Sequence, residues 1–145
     1  MTVVRDILER KNRKTVTVIP EDTVLRAAQL MNEARIGSVV VVDSNGSVVG
    51  IFTERDILRR VVCECRSPAN TRVGEVMTHP VTCCKSDTSL AECRSVMTTK
   101  RLRHLPVVEN GELVGMVSIG DILAWEVEMQ QSTLEYFNEY LHGRV

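Results

Sequence analysis

The stretch 16–58, VTVIPEDTVLRAAQLMNEARIGSVVVVDSNGSVVGIFTERDIL, is answered at 81–123 by VTCCKSDTSLAECRSVMTTKRLRHLPVVENGELVGMVSIGDIL. The two align without a gap at an offset of 65, with thirteen of forty-three positions identical. A gapless internal repeat of this kind signals a duplicated supersecondary unit. Two copies of one unit usually pack about a pseudo-two-fold axis, so a cleft between them tends to occur twice.

Within the first copy, residues 15–19 alternate β-branched side chains and stop at Pro20, a short strand and turn. Asp22-Thr23 offers a helix cap, and Val24, Ala27, Ala28, Met31 and Ala34 recur at helical spacing, with Gly37 read as the stop. The run 39–42 is four valines, a strand covered on both faces. Asp43-Ser44-Asn45-Gly46 is a hairpin turn, 48–52 the return strand, and Thr53 opens a helix to about Cys63. The second copy repeats the steps: a strand at 81–84, a helix carrying Leu90, Cys93, Val96 and Met97, strands at 105–108 and 113–117, and a long helix from Ile119 through Leu141. Residues 2–12, with Val3, Val4, Ile7 and Leu8 on one face, read as a leading helix.

The expected fold is therefore mixed α/β (α+β): two β-α-β-β-α repeats about a pseudo-two-fold axis, with an N-terminal helix and an extended C-terminal helix. The chain is expected to form a single unit over 1–145, with repeat one at about 14–64, a connector at 65–77, repeat two at about 78–126 and a helical extension at 127–142. A chain of 145 residues is thin for two independent domains, so the repeats are expected to share one core.

The composition narrows the function. A formal net charge of −1 and a pI near 6.3 leave no basic stripe for nucleic acid. No apolar run approaches a membrane span, and the charged N-terminus has no signal segment. Five cysteines, 63, 65, 83, 84 and 93, are an odd number in such a chain and argue for reduced thiols, hence a soluble protein of the cytoplasm. Their spacing is not that of a zinc knuckle, and no metal site is expected.

Both copies carry G-x-x-[ST]-x-x-D-I, as Gly50 to Ile57 and Gly115 to Ile122, where a strand enters a helix. A hydroxyl three residues before an acid is a capping box, which stabilises a helix by about 1 kcal/mol. A hydroxyl and free N–H groups at a helix N-terminus also suit a phosphate, and a carboxylate one turn in can accept two ribose hydroxyls. The two readings are compatible.

With this doubled signature and the preceding VVVVD-x-x-G and LPVVE-x-G strands, each repeat resembles a cystathionine β-synthase (CBS) domain, and the pair resembles a stand-alone tandem CBS, or Bateman, module. The resemblance covers about 15–123 and implies regulatory binding of an adenosine nucleotide (AMP, ADP, ATP or NAD) in one or both clefts. It implies that Asp56 and Asp121 hold ribose hydroxyls, with Thr53 and Ser118 near the first phosphate. Lys14, Val16 and Val18 on one strand, Thr82 on its counterpart, the turn Ile36-Gly37-Ser38, and His104 with Pro106 beyond it would line the base pockets. Opposite 36–39 the gapless register sets Arg101-Leu102-Arg103-His104, and alternation along an extended segment puts Arg101 and Arg103 on one face, able to neutralise a phosphate jointly. Arg55, whose counterpart is Gly120, would reach a phosphate across the pseudo-two-fold or pair with Glu54 or Asp56.

No nucleophile motif joins His79, His104 or His142 to a cysteine or serine, so the chain does not read as an enzyme and needs no catalytic cofactor. Its output would act on an unidentified partner protein. The helices predict a two-fold homodimer, as such modules commonly form. Two alternatives stand beside the sensor: an interaction module with weak or vestigial sites, and a thiol or metal sensor using the cysteines.

Overall fold

A computed structural model describes residues 1–141; His142 and the rest of the terminal extension lie outside the described residues. In chain order the elements are α1 (Val4–Lys11), β1 (Thr17–Val18), α2 (Val24–Ala34), β2 (Ser38–Val42), β3 (Val48–Thr53), α3 (Glu54–Asp56), α4 (Val73–Val76), α5 (Leu90–Lys100), β4 (His104–Glu109), β5 (Glu112–Ser118) and α6 (Ile119–Leu141). β1 pairs parallel to β2 and β2 antiparallel to β3, while β4 and β5 form a separate antiparallel hairpin. Among the described residues no helix is long and apolar enough to cross a membrane.

Helices α2 and α5 are built alike. The Thr23 hydroxyl accepts from the Arg26 amide, and that of Ser89 from the Glu92 amide. Both end on an arginine in the left-handed region, Arg35 (φ 54°) and Arg101 (φ 55°), so the stop is Arg35 and not the expected Gly37. The pair Arg35/Arg101 is separated by 66 residues, not 65. Strand pairing agrees: Val18 lies opposite Val41, and Cys84 opposite Val107. The gapless register is thus wrong by one residue through the first half of each repeat. The difference is absorbed at the hairpin, where Asp43 to Ser47 form a longer turn and Asn110-Gly111, both at positive φ, join Glu109 to Glu112 directly.

The expected strand at 81–84 shrinks to one bridge at Cys84. In the first repeat the Val40 amide donates to the Val16 carbonyl; its counterpart by structure is Pro106, which has no amide to give. The helix after Thr53 also departs from expectation, passing from α3 into a π-helical stretch, Ile57–Val62.

One shared core is replaced by two clusters. Val18, Val24, Ala27, Met31, Val39, Val41, Phe52 and Val61 enclose the first together with Val73 and Val76 of α4. Leu90, Cys93, Met97, Leu105, Val107, Val117 and Ile122 enclose the second together with Val4 and Ile7 of α1. The segments preceding the two repeats are therefore equivalent and crossed, each packing on the other repeat. TVVRDIL at 2–8 and TRVGEVM at 71–77 are copies of one motif, which makes the connector a structural element. The Val3 amide donates to Asp6 Oδ2 (2.9 Å) and the Arg72 amide to Glu75 Oε2 (2.8 Å). Leu8 lies against Gly115, where a Cβ would come within 2.8 Å of Leu8 Cδ2, and Met77 lies against Gly50 in the same manner.

Candidate functional site

Two clefts lie between the repeats. Cleft one, about 460 Å³, takes Lys14, Val16, Ile36, Gly37 and Ser38 from the first repeat and His104, Met116, Ser118 and Asp121 from the second, with Lys11 and Arg13 from the leading segment. Cleft two, about 470 Å³, takes Thr53, Arg55 and Asp56 from the first repeat and Arg101, Arg103 and His104 from the second, with Thr78 from the connector side. Each combines the helix-to-strand turn of one copy with the strand-to-helix signature of the other, as a pseudo-two-fold requires. Of the expected positions, Val18 is a core residue, Pro106 is buried on β4, and Thr82 accepts from Lys100 Nζ; none borders either cleft.

Both signatures form complete capping boxes. The Thr53 amide donates to Asp56 Oδ2 (3.0 Å) and the Asp56 amide to the Thr53 hydroxyl (3.2 Å). The Ser118 amide donates to Asp121 Oδ2 (2.9 Å) and the Asp121 amide to the Ser118 hydroxyl (3.0 Å). The preceding turns are fastened to these helices identically: the Glu54 amide donates to the Gly37 carbonyl and the Ile119 amide to the Arg103 carbonyl.

The carboxylates differ in their further partners. Asp56 is 5% exposed, accepts the Thr78 hydroxyl on Oδ1 (2.9 Å), and has Arg60 Nε 3.8 Å from that oxygen. Asp121 accepts Lys11 Nζ on Oδ2 (2.9 Å), and the same ammonium donates to the Met116 carbonyl (3.1 Å). Burial raises the Asp121 pKa, but the hydrogen bonds from Lys11 and Ser118 outweigh it and hold the carboxyl below the usual range. His104 is pushed below the ordinary histidine value by burial, with Lys11 and Arg103 adding to the effect against Asp121 and Glu54. Sequence reasoning missed the two cations beside the carboxylates, Lys11 and Arg60, and also the cleft-lining Arg13, Arg35, Met116, Arg59 and Lys100. The signal for Lys11 was the second copy of the 2–8 motif, which fixes α1 beside β5.

The expected charge contrast between clefts is also revised. Arg101 sits in the left-handed cap, so 101–103 is not one extended segment, although both arginines border cleft two. In the corrected register Arg101 matches Arg35, which borders cleft one beside Lys11, Arg13 and Lys14. What remains is Arg103 opposite Gly37 and His104 opposite Ser38. Cleft two adds Arg55, Arg59, Arg60 and Lys100, so both clefts present cations around a helix-terminal carboxylate and hydroxyl. The chemistry suits an anionic ligand that also carries vicinal hydroxyls.

The cysteines form no comparable arrangement. The Cys84 thiol is pushed up by its hydrogen bond with Cys93 and by burial, and burial raises Cys83, so these thiols stay protonated. Among the described residues no three His, Cys, Asp or Glu side chains converge as a metal site.

Known proteins agree with this architecture. The chain is 31% identical to a mitochondrial CBS domain-containing protein of Arabidopsis thaliana, over 98% of this chain and 73% of the relative. A CBS-domain protein of Burkholderia ambifaria MC40-6 superposes with a TM-score of 0.83 at 42% identity, covering 88% of this chain and 95% of that one. The CBS domain pair of protein MJ0100, solved with 5′-methylthioadenosine and S-adenosyl-L-methionine, superposes with a TM-score of 0.80 at 25% identity, covering 89% and 98%. The family model for the CBS domain matches twice, at residues 4–63 and 73–128, and the chain belongs to the CBS-domain family as a tandem pair.

Proposed function

We propose that this chain is a regulatory module that binds an adenosine nucleotide (AMP, ADP, ATP or NAD) and passes its occupancy to another protein. The observation that carries the reading is the doubled hydroxyl–carboxylate pair at the start of α3 and α6, each facing cations. In cleft one these are Lys11, Arg13, Lys14 and Arg35, all from outside the second repeat, and in cleft two Arg55, Arg59 and Arg60 from the first repeat with Lys100, Arg101 and Arg103 from the second. Asp56 and Asp121 are the proposed ribose acceptors, with Thr53 and Ser118 beside the first phosphate. Arg55, Arg101 and Arg103 would neutralise phosphate in cleft two, and Lys14 in cleft one. Ile36, Gly37, Ser38, Val16 and His104 would flank the base. The adenosine derivatives bound by the related MJ0100 pair support the choice of ligand class.

The proposed setting is the cytoplasm, where the five cysteines stay reduced. The module is proposed to work as a two-fold homodimer and not as an enzyme. A thermal-shift panel of adenine and guanine nucleotides tests the reading. A ligand at 100 times its Kd raises stability by about 2.7 kcal/mol, a shift of several degrees for this size. No response to any adenine nucleotide would leave the second reading, an interaction module with vestigial sites. One observation favours that alternative: both carboxylates are already engaged as helix caps.

A further inference from the structure

Lys11 closes α1 on the side of the module that its own repeat does not occupy. In cleft two the cation beside the carboxylate is Arg60, whose Nε stands 3.8 Å from Asp56 Oδ1, outside hydrogen-bond distance, while its Nη1 donates to the Val76 and Met77 carbonyls. The equivalent segment there stops its helix at Val76 and runs on as extended chain, so that Thr78 pairs with Ile51 and offers Asp56 a neutral hydroxyl. A hydroxyl turns away from its acceptor at little cost. The Lys11 ammonium does not. It sits 2.9 Å from Asp121 Oδ2, an oxygen that also accepts the Ser118 amide, and its side chain is only 25% exposed. Both acceptor positions of that oxygen are filled, so a ribose cannot take both oxygens of Asp121 while Lys11 stays. Arg13, Lys14 and Arg35 border the same cleft, and a displaced ammonium therefore needs a new anion beside it.

Resting on the nucleotide reading above, we infer that Lys11 sets ligand choice in cleft one. It withholds Asp121 from neutral nucleosides and releases it to ligands that bring a phosphate for the ammonium to bind. Cleft two, gated by Thr78, lacks this filter.

The test is an NMR titration of the full chain with adenosine and with AMP, following the Ser118 amide for cleft one and the Thr53 amide for cleft two. In Lys11→Met, adenosine binding at cleft one should tighten about fivefold, the scale of one ion pair of this exposure, while AMP gains nothing, so the AMP preference falls. Lys11→Gln should act in the same direction, and cleft two should be unchanged in both. An AMP-to-adenosine preference at Ser118 that survives both substitutions overturns the inference. The ligand-free sample supplies a separate check, because Asp121 should titrate at higher pH in Lys11→Met. An unchanged Asp121 would dismiss the Lys11 pair while leaving nucleotide binding intact. If neither ligand moves either amide, the nucleotide reading fails and the inference fails with it.

Discussion

Asp56 and Asp121 occupy matched positions yet should respond differently to removal. Asp56→Ala leaves the part-buried Thr53 amide and the Thr78 hydroxyl without their acceptor, a cost of about 1–3 kcal/mol. Asp121→Ala likewise leaves the Ser118 amide and the Lys11 ammonium without that acceptor. The Asp121 side chain is 23% exposed against 7% for Asp56, however, so water replaces more of what is lost and the cost in thermal unfolding should be smaller. For binding the order reverses in meaning: each alanine should weaken an adenosine nucleotide in its own cleft alone, by about 1.5–3 kcal/mol in calorimetry. Two variants that bind like the parent would reduce both residues to helix caps. His104 carries a pH dependence. Burial depresses its folded pKa below the ordinary 6.5, so its neutral form contributes stability above that pH that is lost as the pH falls. Unfolding followed between pH 7.5 and 5.5 should show a decline that His104→Asn flattens; an equal decline in both would assign the effect to other groups.

Individual elements show how much of this could be read in advance. Helix α2 was legible in its cap and its buried face, because Thr23, the apolar periodicity and the burial of Val24, Ala27 and Met31 point the same way, while its stop came two residues before Gly37. The hairpins were legible from Asn-Gly, as were the paired signatures, whose hydroxyl and acid lie three residues apart. What was hidden depended on distant partners. The first-half register failed because six of the thirteen identities, at positions 16, 17, 22, 23, 25 and 42, fall before the hairpin and pair residues that are not structurally equivalent, which hides the one residue lost from the second turn. The strand at 81–84 failed because its ladder depended on whether position 106, on another strand, had an amide. Lys11 escaped notice because its acceptor lies 110 residues away. The crossing of α1 and α4 follows the same logic, and it makes a testable claim. Ile7→Ala should damage the second cluster and Val76→Ala the first, each by about 1–4 kcal/mol. As the clusters share no member, the double variant should lose the sum within about 0.5 kcal/mol in chemical denaturation. Strong coupling between them would indicate one continuous core.

At the scale of the whole molecule, the helices leave apolar surface that a second copy would cover. Leu25 on α2, Leu58 and Val62 after α3, and Leu123 and Val127 on α6 are all exposed, and α6 carries Leu134, Phe137 and Leu141 outward beyond them. At 1.5 Å per residue α6 is about 34 Å long, and Ile122 is its one fully buried residue. The proposed dimer pairs these helix faces, and α6 should add to it with a definite salt dependence. Its acidic residues are Asp121, Glu126, Glu128, Glu135 and Glu139, and it has no basic residue of its own. Lys11, Arg94 and Arg10 neutralise Asp121, Glu126 and Glu128. Glu135 and Glu139 lie beside the outward stripe and repel their copies if two α6 helices meet there. Screening at about 0.5 M salt should then tighten the dimer, opposite to the loss expected of an interface held by ion pairs. Light scattering at micromolar concentration should give the dimer mass for the parent and a monomer for Leu58→Glu combined with Leu123→Glu. A chain ending at 128 should dimerise more weakly and lose the salt response. A parent that stays monomeric with saturating nucleotide would remove the dimer, and with it any route by which occupancy of the clefts changes the angle between two modules.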